Sequence, residues 1–278
     1  EAVEQQAGSG FIWKYPRTGQ YRSAVIMQDV TGDGVEEAVA LYAPSEQNTG
    51  VGTVALFLQQ KEKGGWEVFG SYENTAVSVD QVCFGDLDQD GRMETVIGWG
   101  NSVGGMREFS IYDWSDSGME EIPVGKQMYS EMLLYDFDGD GGMEIFTAAL
   151  DLSGQSTTAK LMRLSAEQQL EILGSVQLDP SVVQYAHVAA GQVSADGTIG
   201  VYLDGAVDAS ALITELVYWD KEQNLLHAPF SLEDGEIRWR ETEVYAGDIN
   251  GDGVLEFPMP VYPPDAGVNQ AQFFHWMN

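Results

Sequence analysis

Cysteine is almost missing from this sequence, with one residue, Cys83, in 278, so no internal disulfide can form. Cys83 lies in the apolar run QVCFG and reads as a small core residue, not a reactive thiol. Base is scarce as well: 13 Lys and Arg stand against 44 Asp and Glu, for a net charge of −31. Such a surface repels nucleic acid and anionic membranes. No basic patch offsets it: Arg238 and Arg240, two residues apart, are embedded among Glu233, Asp234, Glu236, Glu241 and Glu243. The chain has no apolar run long enough to cross a membrane, no signal-peptide pattern, no Asn-x-Ser/Thr sequon and no Pro- or Ser-rich linker. A convincing amphipathic helix is absent too; the best candidate, SAEQQLEIL at 165–173, is short and can equally open a strand.

Carboxylates at fixed spacing are what the chain does have. Four runs read DVTGDGVEE from Asp29, DLDQDGRME from Asp86, DFDGDGGME from Asp136 and DINGDGVLE from Asp248. Each places oxygen side chains at positions 1, 3 and 5, glycine at 6 and glutamate at 9. Alternate side chains of a tight loop converge on one centre, glycine permits the bend, and the position 7 carbonyl can add a backbone oxygen. That is the ligand set of a hard cation, and Ca2+ suits it better than Mg2+, which demands stricter octahedral geometry. The expected ligands are Asp29, Thr31, Asp33, Val35 and Glu37; Asp86, Asp88, Asp90, Arg92 and Glu94; Asp136, Asp138, Asp140, Gly142 and Glu144; and Asp248, Asn250, Asp252, Val254 and Glu256, with Val35, Arg92, Gly142 and Val254 acting through their carbonyls. An EF-hand shares the first six positions but takes its last carboxylate from position 12, which here falls on Ala40, Ile97, Thr147 and Met259. The flanking runs, such as AVALY, QVCFG and IFTAAL, are short and apolar and read as strands, so each loop is expected to join two strands of a hairpin.

The motif also acts as a ruler. Its starts are separated by 57, 50 and 112 residues, the last gap being twice 56, and a missing copy falls at Gln192–Gly200, QVSADGTIG. Asp196 and Gly197 keep the turn while Gln192, Ser194 and Gly200 have lost the acidic positions, so this loop is expected to keep its shape without an ion. In the first unit, strand-like runs occupy 24–28, 36–42, 51–59 and 66–73, and IYDW (111–114), LMRL (161–164) and ALITELVYW (211–219) recur as third strands. Four antiparallel strands per unit of this length predict an all-β chain, a β-propeller of about five four-stranded blades, with unit starts near 24, 81, 131, 187 and 243. The two ends together amount to about one more period, which predicts that 1–278 is a single domain: residues 1–23 supply a tether and a closing strand, GFIWKYP, so that both chain ends close the last blade. The competing reading is a piece of a longer propeller of six to eight blades.

FGDLDQDGRMETVIGWG (84–100) and AGDINGDGVLEFPMPVY (246–262) resemble the FG-GAP, or VCBS-type, repeat of integrin α-chain propellers and of many bacterial secreted proteins. The resemblance covers five units and nearly the whole chain. It implies that the acidic loop joins the first two strands of each blade and holds Ca2+, up to four ions here. Two departures stand out: the family's final ligand is usually aspartate where this chain has glutamate, and the GAP portion survives only as IGWG.

The function expected from these features is a calcium-stabilised binding or adhesion module on a bacterial surface, monomeric, outside the cytoplasm, with a glycan or protein ligand and no catalysis. EAVEQQAGSG at the start would suit a tether or lipid anchor left by a removed secretion signal. The loops between second and third strands, at 44–50, 100–106, 153–157, 204–210 and 262–269, would carry recognition, with Trp99 and Tyr262 at their edges or else packed between blades. A secreted lyase or glycosidase on the same scaffold is the alternative, and a structural spacer a third. Nothing in the sequence forms a catalytic constellation. His187, His227 and His275 are scattered among strand segments, and GNSVG around Ser102 matches the esterase GxSxG pattern but leads into a strand where that motif needs a helix.

Overall fold

A computed structural model describes residues 2–8, 10–45, 50–100, 107–115, 118–150, 157–208, 212–223, 225–228, 239–240, 245–261 and 270–274. Among them one short helix, α1 (Ala2–Ala7), accompanies twenty strands. The chain forms two compact units, Glu1–Met128 with Leu164–Leu170, and Tyr129–Arg163 with Glu171–Asn278.

The first unit holds β1 (Phe11–Trp13), β2 (Val25–Gln28), β3 (Glu37–Pro44), β4 (Thr53–Gln60) and β5 (Trp66–Asn74), which share one sheet, and β6 (Ser78–Gly85), β7 (Glu94–Gly100), β8 (Arg107–Ser115) and β9 (Gly118–Tyr129), which form another. Strands β3 and β7 are continuous apolar runs and are buried almost end to end, whereas β5 has only half-buried and exposed residues, as an edge strand does. Ile26, Leu41, Phe57, Val79, Ile97, Trp99, Tyr112 and Trp114 build one core from both sheets. Trp114 lies edge-on to Phe57 at 5.4 Å and stacks on Phe69 at 5.5 Å, and its Nε1 donates to Thr95 Oγ1 at 3.0 Å.

The second unit holds a four-stranded sheet of β10 (Glu131–Tyr135), β11 (Glu144–Leu150), β12 (Thr157–Leu164) and β13 (Leu170–Gln177), and a sheet of β14 (Gln184–Gln192), β15 (Ile199–Ala206), β16 (Leu212–Asp220) and β17 (Leu225–His227), to which β18 (Trp239–Arg240) adds along β16. A last pair, β19 (Phe257–Val261) and β20 (Gln270–Phe274), follows the fourth acidic loop. Phe146, Leu161, Leu203, Ile213, Val217 and Trp219 lie in its larger core.

The sheets follow the expected strand order: an acidic loop joins the first two strands in each of three sheets, with Gln28 opposite Glu37, Gly85 opposite Glu94 and Tyr135 opposite Glu144. Two expectations need correction. The N-terminal strand β1 pairs with β3, Trp13 opposite Tyr42, and so extends the first sheet. Beyond Ala40 the short β2 leaves the edge of β3 uncovered, and β1, with Phe11 packed against Tyr42, takes that place. The degenerate loop at 192–200 keeps its turn, with Thr198 N donating to Asp196 Oδ1 at 3.0 Å, but its ladder zips one pair further, Gln192 opposite Ile199. With no carboxylate at positions 1, 3 and 9 to hold apart, the backbone closes on itself.

Candidate metal centres

The four acidic loops share one internal hydrogen-bond pattern. The position 1 aspartate takes the amide of position 6: Gly34 N to Asp29 at 2.9 Å, Gly91 N to Asp86 at 3.1 Å, Gly141 N to Asp136 at 3.1 Å and Gly253 N to Asp248 at 3.0 Å. Amides at position 7 donate to the position 5 carboxylate, from Val35, Arg92, Gly142 and Val254, at 2.7 to 2.9 Å. The position 9 glutamate reaches back to the amide of position 2, so that Val30, Leu87, Phe137 and Ile249 donate to Glu37, Glu94, Glu144 and Glu256 at 2.7 to 3.1 Å. One oxygen of each first and last carboxylate is thereby fixed by backbone, and the loops differ in what the other oxygen meets.

In the second loop those other oxygens have no partner. Asp86 Oδ1 and Glu94 Oε1 are buried and accept no hydrogen bond, and one oxygen each from Asp86, Asp88 and Asp90 lie within 4.8 Å of one another. In the first, third and fourth loops the amide of the position 4 glycine (Gly32, Gly139, Gly251) donates to the Oδ1 of the first aspartate; in the second, position 4 is Gln89, at φ 63°, and Asp86 Oδ1 has no donor. Glu94 is fully buried, and desolvation, reinforced by Asp88, Asp113 and Asp90, pushes its carboxyl up to about 8. Asp88 is raised by burial and then by Asp90. A buried orphan oxygen beside three converging carboxylates is a cation-shaped demand, since each unmet buried acceptor costs about 1–3 kcal/mol.

The remaining loops differ in what meets that demand. In the first, Thr31 Oγ1 is buried without a partner, and a cavity of about 180 Å³ is lined by Thr31, Glu37 and Gln59 together with Arg92, Phe69 and Trp114. In the third, one oxygen each from Asp136, Asp138 and Glu144 also lie within 4.8 Å of one another, and Arg163 reaches carboxylate oxygens of Asp138 and Glu144. In the fourth, Asn250 Nδ2 bridges to Glu256 Oε1 at 2.6 Å. The converging carboxylates of the second loop, with their buried unpartnered oxygens, are a donor set that fits Ca2+.

Two residues at these centres were not legible from the motif. Asp113, 7% exposed, is held by Gln168 Nε2 at 2.7 Å and adds a fifth carboxylate near the second loop. Arg163 plays the opposite part in the third. Both sit on the third strand directly opposite the position 9 glutamate, one residue beyond the pairs Thr95–Tyr112 and Ile145–Met162. The strings IYDW and LMRL contained them; reading the register as well as the strand finds them.

The other expected functional residues separate into two groups. Trp99 is fully buried, with Nε1 donating to Ser110 Oγ at 3.2 Å, so it belongs to the core and not to a recognition edge. His187 packs on Tyr245 and His227 stacks on Tyr218, at 4.0 and 5.0 Å between ring centroids. Burial pushes the Cys83 thiol up to about 12, which keeps it protonated at neutral pH. Tyr262, His275, Ser102 and the greater part of the loops at 44–50, 100–106, 153–157 and 262–269 lie outside the described residues. A cavity of about 110 Å³ lined by His187, Asp204, Thr214 and Tyr245 is well below the roughly 300 Å³ at which small-molecule pockets begin.

No family model matches the sequence, and no curated protein matches it. Among solved structures the chain is similar to a rhamnogalacturonan lyase of Bacillus licheniformis, at 13% identity and a TM-score of 0.46 over 74% of this chain and 48% of that one. A hypothetical selenium-binding protein from Sulfolobus tokodaii gives 12% identity and 0.45, over 78% of this chain and 55% of the other. An endo-arabinase from Bacteroides thetaiotaomicron gives 11% and 0.36, over 95% and 97%. The chain thus spans about half the length of the first two. Likenesses of this depth bear on neither substrate nor activity.

Proposed function

We propose that this chain is a calcium-stabilised binding module of a bacterial cell surface, its repeated four-stranded sheets serving as blades of an FG-GAP-type β-propeller and its ligand being an extracellular glycan or protein. The observation that carries the calcium part is the second loop, where the buried, unpartnered Asp86 Oδ1 and Glu94 Oε1 lie beside the half-buried Asp88 and the exposed Asp90. Ca2+ there would satisfy both oxygens and neutralise two of the charges that otherwise repel. Glu94 and Asp86 would hold it through their free oxygens while Leu87 N and Gly91 N fix the others. The sheets contribute the frame: the paired residues on either side of each loop set the distance between positions 1 and 9.

Glycan and peptide arrays probed with calcium-loaded protein test the binding part: a specific ligand on either supports it, and a folded, calcium-loaded protein that binds neither array contradicts it.

A further inference from the structure

The third acidic loop differs from the second at the atom where the second is incomplete. In the second loop Glu94 Oε1 is buried and without a partner. In the third, the equivalent Glu144 Oε1 accepts two bonds from one guanidinium, from Arg163 Nε at 3.0 Å and Nη2 at 2.6 Å. The same Nη2 donates to Asp138 Oδ2 and stands 3.7 Å from Asp140 Oδ2. Arg163 therefore touches the carboxylates of positions 3, 5 and 9, three of the four on which a Ca2+ ion would sit. Glu144, buried to 1% exposure, supplies the anchor, and the planar fork of arginine suits convergent carboxylates. A second cation reaches the loop from the end of β16, where Lys221 Nζ donates to the Asp138 carbonyl.

We infer that the third loop is filled by the chain's own cation, Arg163, and takes no Ca2+ while that side chain is in place. The cross-strand position opposite the ninth residue selects the occupant: Asp113 in the second sheet adds a carboxylate to the site, Arg163 in the third replaces the ion, and Gln59 in the first does neither. A doubly charged ion cannot share the oxygens with a resident guanidinium, because it would meet a like charge at contact distance. The inference rests on the calcium reading of the second loop and narrows it.

Crystals of the wild-type chain soaked in Tb3+, which replaces Ca2+ and scatters anomalously, test the inference. The expected result is an anomalous peak in the second loop and none in the third, with Arg163 on Glu144 and Asp138. In solution, Arg163→Gln, folded by circular dichroism, should bind one more Ca2+ per chain than wild type by calorimetry. A peak in the third loop of wild type, or an Arg163→Gln stoichiometry equal to wild type, overturns the inference. Absence of a peak from the second loop overturns the calcium reading instead, and if Arg163→Gln fails to fold, the peak or its absence in the third loop of the wild-type crystal is decisive by itself.

Discussion

Glu94 combines three roles that pull against one another. Its Oε2 closes the loop by accepting from Leu87 N at 2.7 Å, its Oε1 faces the acidic centre unpartnered, and its side chain is fully buried. The physical consequence is a carboxyl raised from an ordinary 4.5 to about 8 by desolvation first and by neighbouring carboxylates second. In the calcium-free protein, the folded state therefore holds this proton over a pH range in which the unfolded chain has lost it. Stability from this group is fully present below about pH 4.5 and is lost as pH rises toward about 8, on the order of a few kcal/mol in all. Thermal melts in EDTA across that window should show a falling melting temperature. Glu94→Gln, which stays neutral and can keep the bond from Leu87, should flatten the fall and lose most of the calcium-induced rise. A parallel fall in both proteins would show that general self-repulsion of the chain, not Glu94, sets the slope. Neighbouring residues give a second comparison: Asp88→Ala should weaken the second site far more than Thr31→Ala weakens the first, because one removes a charged ligand and the other a neutral hydroxyl.

The loop and its hairpin form one element. Positions 4 and 6 of the acidic loops have left-handed backbone, including Gly141 at φ 98° and the non-glycine Gln89 at φ 63°. Gly141→Ala meets no neighbouring atom but takes a conformation that a Cβ disfavours, and should destabilise by about 1–2 kcal/mol. Gln89→Gly should stabilise the calcium-free protein by up to about 1 kcal/mol, and both changes are measurable by urea denaturation. The sheet is the other half of the element. Trp114→Ala removes a fully packed ring from between Phe57 and Phe69 and should cost about 3–5 kcal/mol. The alternation of carboxylates, the glycine at position 6 and the apolar flanks were enough to place the hairpins and the second-to-third-strand connections. What they could not supply was register across the sheet. Asp113 and Arg163 become part of the centres only because Glu94 and Glu144 pair across to the third strand, and no local spacing encodes that. Trp99 was ambiguous for a related reason: an aromatic at a strand end packs inward or outward according to which face its pairing register assigns it.

At the scale of the molecule, charge is the dominant fact. A net charge of −31 makes the folded chain repel itself, and cations that bind the native loops relieve the repulsion where it is densest. The chain's third strands offer this charge opposite partners: Asp113 in the second sheet adds to the negative charge that a bound cation would relieve, and Arg163 in the third sets a guanidinium against it. Added monovalent salt should therefore raise the melting temperature of the calcium-free protein more than that of the calcium-loaded one, since bound ions leave less charge to screen. Calcium binding at the second loop is open to direct titration by calorimetry, with chelator-stripped wild type run beside Asp88→Ala. Saturable binding is predicted for wild type, and loss of the tightest site for the variant. Absence of binding in wild type, or the same isotherm from both proteins, would contradict the assignment of that loop as a calcium site.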